Sequence, residues 1–282
     1  MRTSLLKLNN NYYLIRNRYI TLPILLFINV LFLSACETTI EHDGMPSEPI
    51  DVSSIPDAVP RIEQRSPYGN PDSYIVLGKR YYVMQDSDGF VEKGIASWYG
   101  KKFHGRRTSS GETYDMYAMT AAHKSLPLPT YIEVINLENR RSVIVKVNDR
   151  GPFHQNRIID LSYTAATKLG IIANGTGLVE IRAINPRTYK GKYAPVQKVS
   201  LGKENQGFYI QAGSFINLTN AERFRKRLGV IGEQLLRISR AVVNDKTVYR
   251  VQIGPLFNVD NADQIVAQLD YLGINEYHIV VD

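Results

Sequence analysis

The 282-residue sequence has one cysteine, one tryptophan and five histidines. A single cysteine excludes an internal disulfide, because that bond joins two thiols. The histidines do not stand at the spacing of a metal-binding motif, and no pair of cysteines is available as thiolate ligands. We therefore expect no metal and no other cofactor.

The charge distribution also lacks the basic excess of a nucleic-acid-binding protein. The formal net charge of +7 includes four basic residues among residues 1–35, and residues 206–282 carry as many acidic as basic side chains. Such a balance does not indicate a polyanionic ligand. We expect no nucleic-acid partner.

Residues 1–35 have the composition of an export signal. Basic residues come first, an apolar run follows at about 19–33, and small residues lead to Cys36. The run is too short and too interrupted for a membrane-spanning helix. The sequence Leu-Ser-Ala-Cys at 33–36 resembles a bacterial lipobox, which implies that Cys36 is lipidated and anchors the protein on the periplasmic face of a membrane. Glu37 then favours the outer membrane, and the alternative is an ordinary signal peptide with a chance cysteine.

Three segments follow the cysteine. Residues 36–73 are rich in Pro, Ser, Asp and Glu and lack apolar periodicity, which predicts a disordered spacer. Residues 74–186 hold many short strand-like runs and one helix, at about 162–169, between a serine cap and a glycine stop. This pattern favours a small closed barrel, so the fold class is mainly β in this part. Residues 187–205 are basic, lack a core pattern and predict a linker.

Residues 206–282 contain an internal repeat. FYIQAGSF at 208–215 matches YRVQIGPL at 249–256, and a segment with amphipathic helical spacing follows each run. This order predicts an α+β domain, β-α-β-β-α-β, with four antiparallel strands. Alternation along the strands predicts a polar sheet face, suited either to a neutral glycan or to solvent, that carries Tyr209, Gln211, Arg250 and Gln252.

Polar and ionisable residues of the predicted barrel cluster in glycine-flanked loops within residues 103–153. Loops on a rigid barrel commonly carry catalytic groups. Cleavage of a glycosidic bond needs a proton donor, held near neutral pKa, and a second group that stabilises charge and orients the sugar. The Ser-Ser-Gly-Glu turn makes Glu112 the natural proton donor, and Asp149 and His123 are its natural partners.

Each of these residues also fits a structural role. A glutamate in a turn is commonly solvated surface, and His123 fits a loop cap. Arg150 can pair with Asp149 and lower the pKa of its carboxyl. Asp160 fits a helix N-terminal cap better than a catalyst, and Trp98 fits the barrel core slightly better than a sugar-stacking position.

Five motifs follow one another in this region. They are GIASWYG at 94–100, FHGRRTSSGE at 103–112, TAAHKSLP at 120–127, VNDRGPF at 147–153 and IDLS at 159–162. Together they closely resemble the rare lipoprotein A family over residues 74–186. The resemblance implies a six-stranded double-psi β-barrel. It aligns Glu112 with the family's catalytic acid, Asp149 with the second acidic residue and His123 with the histidine between them.

The resemblance also implies a reaction. Active members are lytic transglycosylases, which cleave the bond between N-acetylmuramic acid (MurNAc) and N-acetylglucosamine (GlcNAc) without adding water. The C6 hydroxyl of the muramic acid attacks its own anomeric carbon and leaves a 1,6-anhydro end. The alternative is a non-catalytic, expansin-like protein that binds peptidoglycan through the same barrel.

The C-terminal repeat resembles the SPOR domain, which binds peptidoglycan strands stripped of stem peptides. The combined expectation is a lipoprotein enzyme that prefers stripped strands and acts at the division septum in cell-wall remodelling and daughter-cell separation, with division-site proteins as candidate partners. An RNA-recognition domain shares the β-α-β-β-α-β order. The export signal, the balanced charge and the absence of an RNA-binding aromatic signature argue against that alternative.

Overall fold

The computed structural model describes residues 44–46, 50–154, 156–191 and 207–281. The predicted signal peptide, Cys36 and most of the predicted basic linker lie outside these residues. Within the described ranges, none of the helices has the length and apolar character needed to cross a membrane.

Strands between residues 91 and 183 close into a barrel. A hairpin of β1 (Ser73–Val76) and β2 (Lys79–Tyr82) precedes it. The barrel strands are β3 (Val91–Trp98), β4 (Thr120–His123), β5 (Thr130–Asn136), β6 (Ser142–Asp149), β7 (Arg157–Leu161) and β8 (Thr176–Ala183). Their order is β3-β7-β4-β6-β5-β8, and β8 pairs back onto β3. The pairs β3–β7 and β4–β6 are parallel and the others antiparallel, so the predicted barrel is confirmed.

Alternation along β6 separates the barrel core from the surface that carries the candidate site. Val143, Val145 and Val147 are buried in the core cluster. Each such side chain contributes roughly 1.5–3 kcal/mol when it leaves water. Lys146 and Asn148 point away from that cluster, and both contact Glu112. The core residues of β6 therefore fix the direction of the polar ones.

The predicted helix is confirmed as α1 (Tyr163–Leu169). The Ser162 side chain accepts a hydrogen bond from the backbone N–H of Ala165, and Gly170 ends the helix in the left-handed conformation at φ 76°. Both features follow the ordinary rules of helix capping. Before it, a short 3-10 helix spans Lys101–Phe103.

The prediction of a disordered spacer is wrong for residues 50–73, which we call the strap. Val52 is buried, and Ile55 and Ala58 pack against the barrel core. The backbone N–H of Ala58 donates to the Ile144 carbonyl at 3.0 Å, and that of Ser66 donates to the Leu128 carbonyl at 2.8 Å. These contacts are spread along an irregular chain, so they leave no periodic pattern in the sequence.

The C-terminal domain has the predicted β-α-β-β-α-β order. Its elements are β9 (Phe208–Phe215), α2 (Leu218–Arg227), α3 (Gly229–Gly232), a 3-10 helix (Glu233–Leu235), β10 (Leu236–Val243), β11 (Lys246–Leu256), α4 (Val259–Tyr271) and β12 (His278–Val281). The antiparallel sheet runs β10-β11-β9-β12. Helix α4 buries Ala262, Ile265, Val266 and Leu269 in the core of the domain.

The barrel and the C-terminal domain pack against each other. Ile95 and Leu178, on the outside of the barrel, belong to the apolar core of the C-terminal domain. At the edge of this contact the Arg157 guanidinium pairs with the Asp263 carboxylate of α4 at 2.7 Å. Apolar burial and an ion pair with a mostly buried arginine hold the two domains together.

We predict that Gly69→Ala releases the strap. Gly69 has φ 74°, and a Cβ there would lie 2.6 Å from the Ser109 carbonyl oxygen. The left-handed conformation alone costs a residue with a Cβ about 1–2 kcal/mol, and the clash adds to that cost. Trypsin should cut after Arg61 and Arg65 at least about tenfold faster in the variant than in the wild type.

Gly89→Ala is the matched control, because Gly89 has φ 69° and nothing within 4 Å of its Cβ position. It carries the conformational cost without the clash, so its strap should resist trypsin as in the wild type. Immediate cutting of the wild-type strap would show that the strap does not stay on the barrel in solution.

Candidate active site

A closed turn presents Glu112 at the surface of the barrel. The backbone N–H of Thr108 donates to the Glu112 carbonyl at 2.8 Å, and that of Gly111 donates to the Thr108 carbonyl at 2.9 Å. Gly111 adopts φ 91°, which a residue with a side chain rarely does. The turn leaves the Glu112 side chain 45% exposed, so a ligand on the barrel can reach the carboxylate.

Two side chains of β6 hold the Glu112 carboxylate. Lys146 Nζ lies 2.7 Å from Oε1, and the Asn148 amide donates to Oε2 at 2.8 Å. Burial raises the pKa of Glu112, but the hydrogen bonds from Asn148 and Lys146 and the charge of Lys146 together outweigh it. The pKa of Glu112 is therefore lowered, and the expected near-neutral proton donor is instead an ionised carboxylate in the free protein.

Lys146 also connects Glu112 to the strap. Its ammonium lies 3.1 Å from a Glu63 carboxylate oxygen, and the Tyr131 hydroxyl donates to the other Glu63 oxygen. Arg61, the neighbouring strap cation, pairs with the same carboxylate at 3.1 Å. Lys146 is thus shared between two carboxylates, one from the turn and one from the strap.

Asp149 fastens the Glu112 turn to the end of β6. Its Oδ1 accepts hydrogen bonds from the Ser109 N–H at 2.7 Å, the Ser109 hydroxyl at 2.6 Å and the Arg150 N–H at 2.7 Å. The structure therefore brings Glu112 and Asp149 together, with Ser109 as the connection. An anionic acceptor suits three donors of this kind.

The Arg150 guanidinium does not pair with the Asp149 carboxylate, so the local ion pair considered from the sequence is not formed. The guanidinium donates instead to the carbonyls of Gly69 at 2.8 Å, His123 at 3.1 Å and Leu126 at 2.6 Å. The Arg150 side chain therefore joins the strap to the loop after β4. The Asp149 carboxylate is held by Ser109 and by the Arg150 backbone N–H.

His123 lies at the end of β4 and is 2% exposed. Nδ1 accepts the backbone N–H groups of Ser125 and Leu126 at 3.2 and 3.0 Å, so the ring proton is on Nε2, which lies 3.3 Å from Glu92. Burial lowers the pKa of His123 against the opposing effect of Glu92. Among the described residues, these contacts join the His123 ring to neither Glu112 nor Asp149. The ring instead holds the loop after β4, which Arg150 also binds.

Asp160 is a further, partly buried carboxyl beside the site, in β7 and not in the cap of α1. Asp149, Ala122 and Asp160 form one row across β6, β4 and β7. The Ser97 hydroxyl donates to Asp160. Burial raises the pKa of Asp160, against the lowering effects of Ser97, Arg157, Lys124 and His154. Glu112 and Asp160 therefore differ in the direction of their pKa shifts.

Three residues of this arrangement escaped the sequence analysis, namely Glu63, Lys146 and Asn148, and Asp160 was interpreted there only as a helix cap. The alternation of β6 carried a signal for Lys146, which lies between Val145 and Val147, and for Asn148, which follows Val147. Glu63 had no such signal, since the strap is irregular. Tyr99 is buried and stacks on Tyr114 with ring centroids 4.0 Å apart, and the partly buried Trp98 packs against the barrel core.

The predicted polar face of the C-terminal sheet exists, but its residues are not equally accessible. Gln211 and Gln252 are paired across β9 and β11 and are 6% and 2% exposed. Arg237 of β10 lies over the Tyr209 ring, 3.3 Å from its centroid, and its Nε donates to Gln252 at 2.9 Å. Tyr209 and Arg250 are half-buried, so they and Arg237 are more accessible to a ligand than the two glutamines.

The described part of the chain holds no group of three or more His, Cys, Asp or Glu side chains that could bind a metal ion. Glu112, Asp149 and their donors can supply proton transfer and charge stabilisation at the barrel surface. Such groups can polarise a glycosidic oxygen or a sugar hydroxyl.

Comparison with known proteins confirms the resemblance. A family model described as lytic transglycolase matches residues 91–181, and a SPOR domain model matches residues 204–279. Endolytic peptidoglycan transglycosylase RlpA of Pseudomonas aeruginosa is 39% identical, covering 79% of this chain and 80% of its own. RlpA of Vibrio cholerae is also 39% identical, covering 89% of this chain and 93% of its own.

A solved structure, the RlpA SPOR domain from Pseudomonas aeruginosa, is 25% identical. It covers 27% of this chain and 100% of its own, with a TM-score of 0.26. On the sequence relatives and the two domain matches, this chain belongs to the family of endolytic peptidoglycan transglycosylases named RlpA.

Proposed function

We propose that this protein is a peptidoglycan lytic transglycosylase that cleaves the MurNAc–GlcNAc bond, with Glu112 as its acid–base residue and Asp149 and His123 as supporting residues. The observation that carries the proposal is the setting of Glu112. It is an accessible carboxylate with a cation on one oxygen and an amide on the other, in a turn fastened by Asp149. The RlpA relatives carry the activity in their name.

The reaction includes two proton transfers, one from a sugar hydroxyl and one to the leaving glycosidic oxygen. The C6 hydroxyl of MurNAc attacks C1 and loses its proton, while the C1–O bond to GlcNAc breaks and the leaving oxygen takes up a proton. Water is not consumed, and the MurNAc end becomes a 1,6-anhydro ring. One carboxyl can serve both transfers in sequence, first as acid and then as base.

The ionised state of Glu112 in the free protein fits this cycle once the substrate is included. A glycan strand over the turn excludes water from a side chain that is 45% exposed without it. Desolvation raises the pKa of a carboxyl, which moves Glu112 towards the protonated form that a donor requires. Lys146 and Asn148 then stabilise the carboxylate that remains after proton transfer.

We propose that the catalytic barrel spans 74–186 and a glycan-binding SPOR domain spans 206–282. The SPOR match supports binding to stripped strands at the division septum. Lipidation of Cys36 and outer-membrane anchoring rest on the lipobox-like sequence, and division-site proteins remain candidate partners.

Glu112→Gln should reduce cleavage at least about a hundredfold, because general acid–base catalysis supplies roughly 10²–10⁴ of the rate. The amide keeps the size of the side chain, and the position is half exposed, so folding should be unchanged. Mass spectrometry of stripped glycan strands incubated with each protein measures the products.

The product chemistry decides the reaction class. Fragments with 1,6-anhydro ends, absent with Glu112→Gln, support the lytic transglycosylase. Fragments with reducing ends would make the protein a hydrolase. Intact strands that co-sediment with the wild type would favour the non-catalytic, expansin-like alternative.

Lys146→Met should move the pH dependence of cleavage upwards. An acid catalyst must be protonated, so activity is lost as pH rises through its pKa, and the lowered pKa of Glu112 puts this limb on the acidic side. Removing the ammonium removes two of the effects that lower that pKa. The limb of kcat/KM should therefore shift to higher pH.

The exposed Lys190→Met is the control and should leave the profile in place. A limb that stays fixed, or moves to lower pH, in Lys146→Met would show that Glu112 is not the titrating acid.

Arg250→Ala combined with Tyr209→Ala should weaken binding of stripped strands at least about fivefold, because both groups lie on the accessible part of the sheet face. Co-sedimentation in the Glu112→Gln background separates binding from cleavage. Arg223→Ala changes an exposed residue of α2 and should bind normally. Unchanged binding in the double variant would remove this face as the glycan site.

A further inference from the structure

Tyr68 of the strap stands against the turn that carries Glu112. Its ring is next to Gly111, the residue before Glu112: a Cβ at Gly111 would lie 3.2 Å from Tyr68 Cδ2. Arg107 closes the same turn, with its Nε donating to the Gly111 carbonyl at 3.1 Å. The Tyr68 side chain nevertheless remains 64% exposed. An aromatic surface thus lies one residue away from the proposed acid–base group.

The backbone on both sides of Tyr68 is firmly anchored. Before it, the Ser66 hydroxyl donates to the Ser110 carbonyl at 2.9 Å and accepts the Tyr68 N–H at 3.1 Å. After it, the Gly69 carbonyl accepts Arg150 Nε at 2.8 Å. These bonds tie the strap to the same turn and loop that form the candidate active site.

Asn70 completes the anchoring. Its side chain donates to the Leu128 carbonyl and accepts the Leu128 N–H, each at 2.8 Å, and also accepts Arg150 Nη2 at 3.2 Å. The segment around Tyr68 is therefore ordered by several polar contacts, while the ring itself gains little burial from them.

The ring's position suits a sugar. Most other tyrosines near the site bury their rings or direct the hydroxyl to a partner, as Tyr99, Tyr114 and Tyr131 do. An exposed aromatic ring on an anchored backbone offers a flat apolar face at small cost in conformational entropy. Pyranose rings have apolar C–H faces that match such a surface, and the glycan must pass Glu112 to be cleaved.

We propose that Tyr68 is a binding residue of the catalytic cleft, stacking on a pyranose ring of the glycan strand beside the bond that Glu112 acts on. The strap is then one wall of the cleft, and residues outside the barrel strands contribute to substrate binding. This inference rests on the proposed function, because it takes a glycan as the substrate of the barrel.

The first experiment measures kcat and KM for cleavage of stripped glycan strands by the full chain. Tyr68→Ala should lower kcat/KM about three- to tenfold, mainly through KM, the range of a single aromatic contact. Tyr68→Phe keeps the ring and should stay within about twofold of the wild type. Tyr271→Ala removes a 92% exposed tyrosine at the end of α4 and should have no effect.

Equal losses in Tyr68→Ala and Tyr68→Phe would assign the effect to the hydroxyl and overturn the stacking role. An unchanged Tyr68→Ala enzyme would overturn the inference and leave the proposed function intact.

The second experiment does not depend on turnover. Protein with the Glu112→Gln change and ¹³C-labelled tyrosine rings is titrated with stripped strands, and the Tyr68 ring resonance is identified by its loss in Tyr68→Phe. A saturable shift of this resonance, with the Tyr271 resonance unmoved, supports the inference even if the wild type proves not to cleave. A Tyr68 resonance that stays fixed while the strands co-sediment with the protein overturns it.

Discussion

The hydrogen bonds between the Asp149 carboxylate and Ser109 hold the candidate site together. They fasten the loop that carries Glu112 to the end of β6. The Glu112 carboxylate is therefore held in a fixed position relative to the barrel, although it belongs to a surface turn. Asn148, one residue earlier on the same strand, holds Glu112 directly. Precise placement of this kind is what proton transfer requires, because its rate depends on hydrogen-bond geometry.

Electrostatics at the site follow from the number of carboxylates around one lysine. Lys146 lies between Glu112 and Glu63, and it lowers the pKa of both. Part of this effect is screened, because Glu112 is nearly half exposed. The ion pair between Glu63 and Lys146 therefore adds an electrostatic interaction to the other contacts between the strap and the barrel.

Much of the fold was predictable because its signals are local and periodic. The barrel strands alternate, α1 has a serine cap and a glycine stop, and the C-terminal repeat marks two strand–helix units. The strap was not predictable on this basis. Its order comes from scattered contacts, such as Ala58 with Ile144 and Ser66 with Leu128, whose partners are distant in the sequence. A composition rich in polar residues and proline suggested disorder instead.

For the site, the sequence by itself determined which chemistry is available: Glu112 in a glycine turn, Asp149 at a strand end and the motifs that place the chain in its family. Only the tertiary structure decided the charge state of Glu112 and which residues lie next to one another in the site. It gave Glu112 a lysine partner that lowers its pKa, turned His123 towards Glu92, and set Tyr68 beside Gly111. Pairings of this kind depend on distances between residues far apart in the chain, and those distances exist only after the barrel closes.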